Sequence, residues 1–352
     1  EDFAVARDPR ALAVMPRMAP LALCLVASAS LAAAFTPSLV QPLRSSPSSQ
    51  KAASSALAPM MRPAAASRLA PLRPSSALSL SMAAASSEAG GGLGLTHQCA
   101  DGTKITYDFI PASNPTILYL PGLGQTRYDS KFSALQSWCK RNNYGYLVAD
   151  YYGCGQSGGD PKKGCITRWT ADTLSIIKNV IKGPVVLCGS GVGGWVMMQV
   201  AVQNPKAVVG CVGVAADPDF TTDLVIPSLS KETLDKIDKD GAAEITWGKA
   251  QYTLSKVFID DAEKNLLMKG GPGSLKVTCP VRLVQGLGDI EIPPERALTL
   301  CDVLATEDVV VTYAKFGDHV LDEDDDTRLV TSHLADLASQ YFEFDLKSPS
   351  SG

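Results

Sequence analysis

The stretch Val185-Val186-Leu187-Cys188-Gly189-Ser190-Gly191-Val192-Gly193-Gly194-Trp195 passes from an apolar run through glycines into apolar residues at helical spacing. It reads as a strand, a sharp turn and a helix. At such a turn the pattern G-x-S-x-G holds a serine hydroxyl above a sheet, beside backbone N–H groups. Laid on Gly189 and Gly193, the pattern puts its serine at position 191, and this chain has glycine there. The turn is kept and the nucleophile is missing. The same glycines fit G-x-G-x-x-G, but a dinucleotide loop belongs to a first βα unit with an acid about 20 residues on. Here the loop lies deep in the folded region, and Val209 to Asp217 offers no ribose-binding context. No nucleotide or other cofactor is expected.

Outward from this turn, short apolar runs alternate with helical spacings. Residues 104–110 alternate as a half-exposed strand would. Runs at 116–120, 146–149, 185–187, 208–214, 281–284 and 309–313 suit buried parallel strands, and 129–141, 170–181, 193–203, 294–304 and 326–341 suit amphipathic helices. Repeated βα alternation predicts an α/β fold, a doubly wound, mostly parallel sheet with helices on both faces. Residues 218–273 break the rhythm. This interval is helical in character, and a connection so long is usually functional, such as a lid. Its Phe220, Leu224, Ile226, Leu229, Leu234, Trp247, Tyr252, Leu254 and Phe258 supply apolar surface, some of it for a ligand pocket and most of it for packing.

The first quarter of the 352 residues has no globular composition. Between Asp8 and Glu88 there is no acidic residue, and Arg17 precedes an apolar run from Leu21 to Ala34. That is a signal-peptide layout over residues 1–34, with Met15 or Met18 as the start, too short for a comfortable membrane span. Residues 35–94 are rich in Ser, Ala and Pro, with Arg44, Lys51, Arg62, Arg68 and Arg73. They read as a disordered, transit-like segment. The two-part leader, with Phe35 after three alanines, resembles those of algae with secondary plastids; the alternatives are the mitochondrion and secretion. The domain is expected over 95–344 with a lid at about 218–273, and 345–352 as a tail.

Nine cysteines lie without C-x-x-C pairs or zinc-ligand spacing. Reduced, buried thiols are expected, and no metal site. A net charge of −4 without a basic stripe in the folded part gives no reason to expect nucleic acid as a partner.

Serine-hydrolase chemistry needs a base to take the hydroxyl proton and an acid to orient that base, in the chain order Ser, Asp or Glu, His. Only His97, His319 and His333 exist. His97 precedes the sheet and His333 lies within the last helix. His319 follows the last strand, at the sheet end where ligands bind. It is the candidate base. Asp289, after the strand at 281–284, is the candidate acid; Asp217 is the runner-up, and Asp318 is too close in sequence to aim at the ring. The oxyanion donors are expected at Val192 N–H, after the nucleophile position, and at Leu123 N–H in the loop Pro121-Gly122-Leu123-Gly124.

Pro121-Gly122, the run Asp150-Tyr151-Tyr152-Gly153-Cys154-Gly155-Gln156-Ser157-Gly158, the turn at 189–195, Cys279-Pro280-Val281-Arg282-Leu283 with Gly286 and Asp289, and Asp318-His319 together resemble the serine-hydrolase branch of the α/β-hydrolases. The resemblance covers residues 117–337, with Asp261-Ala262-Glu263-Lys264-Asn265 in the lid, and is strongest to members that cleave palmitoyl-protein thioesters and acyl glucuronides. It implies an α/β-hydrolase sheet with a helical lid insertion, and an acid at Asp289, a histidine at His319, oxyanion amides at Leu123 and Val192 and a nucleophile at Gly191. Two functions stand. One is a weak acyl-ester or thioester hydrolase acting on a small-molecule or acylated-protein substrate. The other is a non-catalytic pseudo-hydrolase that binds an acyl-type ligand or a partner protein.

Overall fold

The computed structural model describes residues 90–112 and 115–347. The expectations for the leader, for most of the 35–94 segment and for residues 348–352 fall outside them. The strands are β1 (Gly92–Gln98), β2 (Lys104–Ile110), β3 (Thr116–Leu120), β4 (Gly145–Ala149), β5 (Val185–Ser190), β6 (Val208–Val214), β7 (Ala242–Trp247), β8 (Ala250–Ser255), β9 (Val281–Gly286) and β10 (Val309–Ala314). The helices are α1 (Ser130–Arg141), α2 (Ile166–Ile176), α3 (Val192–Gln203), the single turn α4 (Ile226–Ser228), α5 (Lys231–Asp240), α6 (Lys256–Ala262), α7 (Arg296–Val303) and α8 (Asp324–Lys347).

Eight strands form one sheet in the order β1-β2-β4-β3-β5-β6-β9-β10. β1 and β2 are antiparallel to their neighbours, and every pair from β4 to β10 is parallel. Alternation along each strand sends side chains to opposite faces. Ile117, Tyr119, Val186 and Cys188 join Leu135 of α1 and Leu334 of α8 on one face, while Leu118, Leu120, Val185 and Leu187 meet Trp169 of α2 and Trp195 of α3 on the other. β3 lies between β4 and β5, so the chain leaves β3 and β5 in opposite directions. The crevice outside the carboxyl ends of these two strands is where an open α/β sheet binds ligands.

Three elements differ from the sequence reading, and the plainest is α8, which runs to Lys347 and so into the tail expected from residue 345. β1 begins at Gly92, before the expected domain start at 95, because its glycines read as linker. It survives as an edge strand, where Gly94 takes φ +64° and its N–H donates to Asp108 Oδ1 at 2.7 Å. The third is the insertion at 218–273, which is not helical throughout: β7 and β8 pair as an antiparallel hairpin from Ala242↔Ser255 to Trp247↔Ala250. Gly248 at φ +58° opens its two-residue loop, the backbone that a tight hairpin requires of its first loop residue.

The insertion is pinned to the domain. Asp219 accepts from Leu267 N and Met268 N at 2.8 and 2.7 Å, tying its two ends together. Asp261 Oδ2 accepts from Thr167 N at 2.9 Å, in the first turn of α2. Asn265 Nδ2 donates to Thr167 Oγ1, and the Asn265 carbonyl accepts from Trp195 Nε1, both at 2.9 Å. Phe258 is buried against Trp169. No helix among the described residues is long and apolar enough to cross a membrane.

Candidate active site

The turn between β5 and α3 places Gly191 at φ 51° and ψ −119°, a backbone that side chains adopt only under strain. Its neighbours have no choice but glycine. A Cβ on Gly193 would lie 2.1 Å from the Leu120 carbonyl, one on Gly189 2.4 Å from the Gly193 carbonyl, and one on Gly194 2.3 Å from the Ala216 Cβ. A Cβ on Gly191 would meet nothing nearer than His319 Nε2, at 3.4 Å. Position 191 therefore has room for a side chain, and that side chain would face the histidine.

His319 sits in the loop after β10, and its Nδ1 lies 3.0 Å from Asp289 Oδ2 in the loop after β9. A carboxylate only accepts, so the Nδ1 proton points at Asp289 and Nε2 is left facing Gly191. Asp289 is held on all sides: Oδ1 accepts from Glu291 N and Ile292 N at 2.8 and 2.9 Å, and Oδ2 also accepts from Gln285 Nε2 at 3.0 Å. Burial raises its pKa, but the His319 bond and these amides outweigh that and hold it below the usual carboxylate value. Burial would push His319 down. The hydrogen bond and charge of Asp289, together with the charge of Glu291, overcome it and lift the imidazole above its usual 6.5.

Asp217, the runner-up acid, does not touch the ring. Arg296 grips it, with Nε and Nη2 at 2.9 and 2.8 Å, and burial still pushes its carboxyl up to about 6. Asp318 also turns away. It accepts from Val320 N at 3.0 Å and pairs with Lys249 at 2.9 Å. His97 contacts Ser175 and His333 contacts Thr312, both remote from the turn. Burial pushes the Cys188 thiol up to about 12 and the Cys154 thiol up to about 11, so neither supplies a thiolate.

Val192 is the first residue of α3, so its N–H is one of the donors a helix start leaves without an internal partner. Leu123 lies in the turn closed by Gln125, whose N donates to the Gly122 carbonyl at 3.2 Å while its Oε1 accepts from Gly122 N at 2.8 Å. Both residues line one cavity of about 330 Å³ with Gly191 and His319. Of the apolar residues expected in the lid, Phe220, Trp247 and Tyr252 line it; Leu254 and Phe258 are buried in the core instead.

Glu291 was not singled out in the sequence, where nothing marks a carboxylate two residues beyond the acid. Its Oε2 lies 3.5 Å from His319 Nε2, and it lines the same cavity. Burial raises its pKa. The β7–β8 hairpin presses on it: a Cβ on Gly248 would lie 2.0 Å from Glu291 Cγ. Among the described residues no group of three or more His, Cys, Asp or Glu side chains is placed to hold a metal ion.

Residues 117–345 match the family described as the alpha/beta hydrolase family. Palmitoyl-protein thioesterase ABHD10, mitochondrial, of Mus musculus is 32% identical over 237 residues, which cover 66% of this chain and 78% of the relative. Among solved structures, mouse alpha/beta hydrolase domain-containing protein 10 aligns with a TM-score of 0.64 and 28% identity, over 70% of this chain and 98% of its own. A putative hydrolase from Agrobacterium vitis aligns equally well, with 27% identity over 69% of this chain and 97% of its own.

Proposed function

The chain belongs to the alpha/beta hydrolase family, close to ABHD10, and on that premise we propose that it binds acyl esters or thioesters and hydrolyses them slowly, by direct attack of water. The observation that carries the reading is the 3.4 Å from His319 Nε2 to the place a residue-191 Cβ would take. The His319 imidazole is held by Asp289 and aimed at the space beside the turn where the reacting atoms belong. The substrate carbonyl rests on the Leu123 and Val192 amides. The acyl chain lies along Phe220, Trp247 and Tyr252, in a cavity at the small end of the roughly 300–1,000 Å³ that ligand pockets span. With no hydroxyl at 191 there is no acyl-enzyme. What remains is the residual catalysis of oxyanion donors and binding, about 10³- to 10⁴-fold over water in serine hydrolases stripped of a triad member.

The test is thiol release from an octanoyl thioester by the purified chain. Turnover at least tenfold above that of His319→Ala supports the reading, and saturable binding without turnover leaves the pseudo-hydrolase, which the missing hydroxyl favours. For residues 1–94 we propose organelle import. The curated relatives are named as mitochondrial, which supports the mitochondrion over the plastid. A fusion of this segment to a fluorescent protein, imaged against both organelles, decides between them.

A further inference from the structure

We propose that Glu291 is the general base of this site, taking a proton from the attacking water while protonated His319 donates its Nε2 proton to the leaving group. The inference rests on the hydrolytic reading above and assigns its proton transfers. In the serine-bearing arrangement, His319 would face a hydroxyl and act as the base. Here its Nε2 faces a carboxylate, Glu291 Oε2 at 3.5 Å. A neutral imidazole brings only a lone pair to that contact, whereas an imidazolium brings an N–H, so Glu291 favours the protonated ring.

The position is built rather than incidental. Asp289 Oδ1 accepts from Glu291 N at 2.8 Å, so the carboxylate that holds His319 also fixes the Glu291 backbone. The Lys249 backbone N–H, at the hairpin tip, favours the ionised Glu291 carboxylate and partly offsets its burial. Gly248 beside it leaves no space for even a methyl group. Glu291 is 7% exposed and lines the cavity with Gly191 and His319. A carboxylate used only for charge balance would gain more by staying in water, since burying one costs several kcal/mol before any partner repays it, at order of magnitude.

The step balances without a further reactant. Water oxygen attacks the acyl carbon and its proton passes to Glu291; the oxyanion forms against the Leu123 and Val192 amides. As the intermediate collapses, the bond to the thiolate or alkoxide breaks and the leaving group takes the Nε2 proton of His319. The proton on Glu291 then returns to His319. One water is consumed, and an acid and a thiol or alcohol are released. The working state has Glu291 ionised and His319 protonated. Asp289 and Glu291 favour the charged ring, while burial and Lys131 of α1 oppose it. Facing Glu291 are His319, Asp289 and Asp318, with Lys249 and Tyr252 of the hairpin. Burial makes Glu291 a stronger base than an ordinary carboxylate.

The experiment measures octanoyl-thioester hydrolysis against pH, with the His319→Ala rate subtracted. The unmodified chain should give a bell whose alkaline limb falls as His319 loses its proton. Glu291→Gln should lose about 10²-fold in rate, the lower range of general-base catalysis, with acyl-probe binding and melting temperature within error. In the Gly191→Ser background, Glu291→Gln should cost far less than the factor it costs the parent, because a serine nucleophile uses His319 as base. A rate that climbs to a plateau at high pH, or a Glu291→Gln rate equal to the parent, overturns the assignment while leaving hydrolysis by water intact. No turnover in the parent overturns both.

Discussion

Two glycines with left-handed backbones face the same pair of side chains, and they are glycine for different reasons. Gly191, at the turn after β5, has φ 51° and looks at His319 Nε2 across 3.4 Å. Gly248, at the hairpin tip, has φ 58° and would drive a Cβ to 2.0 Å from Glu291 Cγ. At 248 the absence of a side chain is steric. At 191 it is not, because a Cβ there would meet nothing nearer than His319 Nε2.

The most forceful way to break this contrast is to supply a hydroxyl at 191. Gly191→Ser should become reactive to fluorophosphonate probes, and its turnover of p-nitrophenyl butyrate should rise by orders of magnitude, towards the roughly 10⁶-fold that a nucleophile and its base contribute together in a serine hydrolase. Adding His319→Ala should abolish the gain. An inert Gly191→Ser would mean that the 191 side chain does not meet the histidine as the geometry requires.

The converse substitution tests the hairpin. Gly248→Ala should cost about 1–3 kcal/mol of unfolding free energy from backbone strain alone, with the clash against Glu291 added to it. Urea denaturation reads the loss. Weaker binding of an octanoyl probe should accompany it, since Trp247, Lys249 and Tyr252 move with the loop and line the cavity. Unchanged stability would separate the hairpin tip from Glu291 and dissolve the comparison.

A third test uses the proton on His319. In Gly191→Ser the imidazole must be neutral to take the hydroxyl proton, so the acid limb of kcat/KM should sit above 6.5, where Asp289 and Glu291 hold it. Glu291→Gln removes one of those two causes and should move the limb to lower pH. The linkage has the matching sign. A histidine whose folded pKa exceeds its unfolded value stabilises the fold fully below about 6.5, and that contribution is lost as pH rises through the folded pKa. Unfolding free energy should therefore decline over that window in the parent and not in His319→Ala.

The turn was legible because glycines at 189, 193 and 194 are demanded by close contacts with the Gly193 and Leu120 carbonyls and with Ala216, and such demands show as residue identity. The meeting of Asp289 and His319 was legible because each follows a strand, and parallel strands deliver their following loops to one end of the sheet. The hairpin was obscured because Leu234, Ile237 and Ile245 keep apolar residues coming at intervals that blur into helix. Trp247-Gly248-Lys249 between two runs of Thr, Trp and Tyr was the signal that could have marked it. Glu291 had no such signal. It is packed under the tip of a hairpin 43 residues upstream, from Gly248 to Glu291, a tertiary contact that no local spacing encodes.

The smallest expected effect separates the two roles of residue 191. Any side chain at φ 51° and ψ −119° incurs strain of about 1–3 kcal/mol, while replacing glycine stiffens the unfolded chain and returns about 0.4–1 kcal/mol. Gly191→Ala should therefore be less stable than the parent by about 1 kcal/mol, a modest shift in urea midpoint, because at 3.4 Å its Cβ meets His319 at ordinary contact distance. Gly191→Ser carries the same backbone cost and adds a hydroxyl that can donate to Nε2. A hydrogen bond of that kind contributes about 0.5–1.5 kcal/mol net, so the serine variant should exceed the alanine variant by that amount when His319 is neutral. The difference should vanish in a His319→Ala background. Serine and alanine variants of equal stability at high pH would mean that no bond forms across the gap, and that the room beside Gly191 is not aligned for a nucleophile.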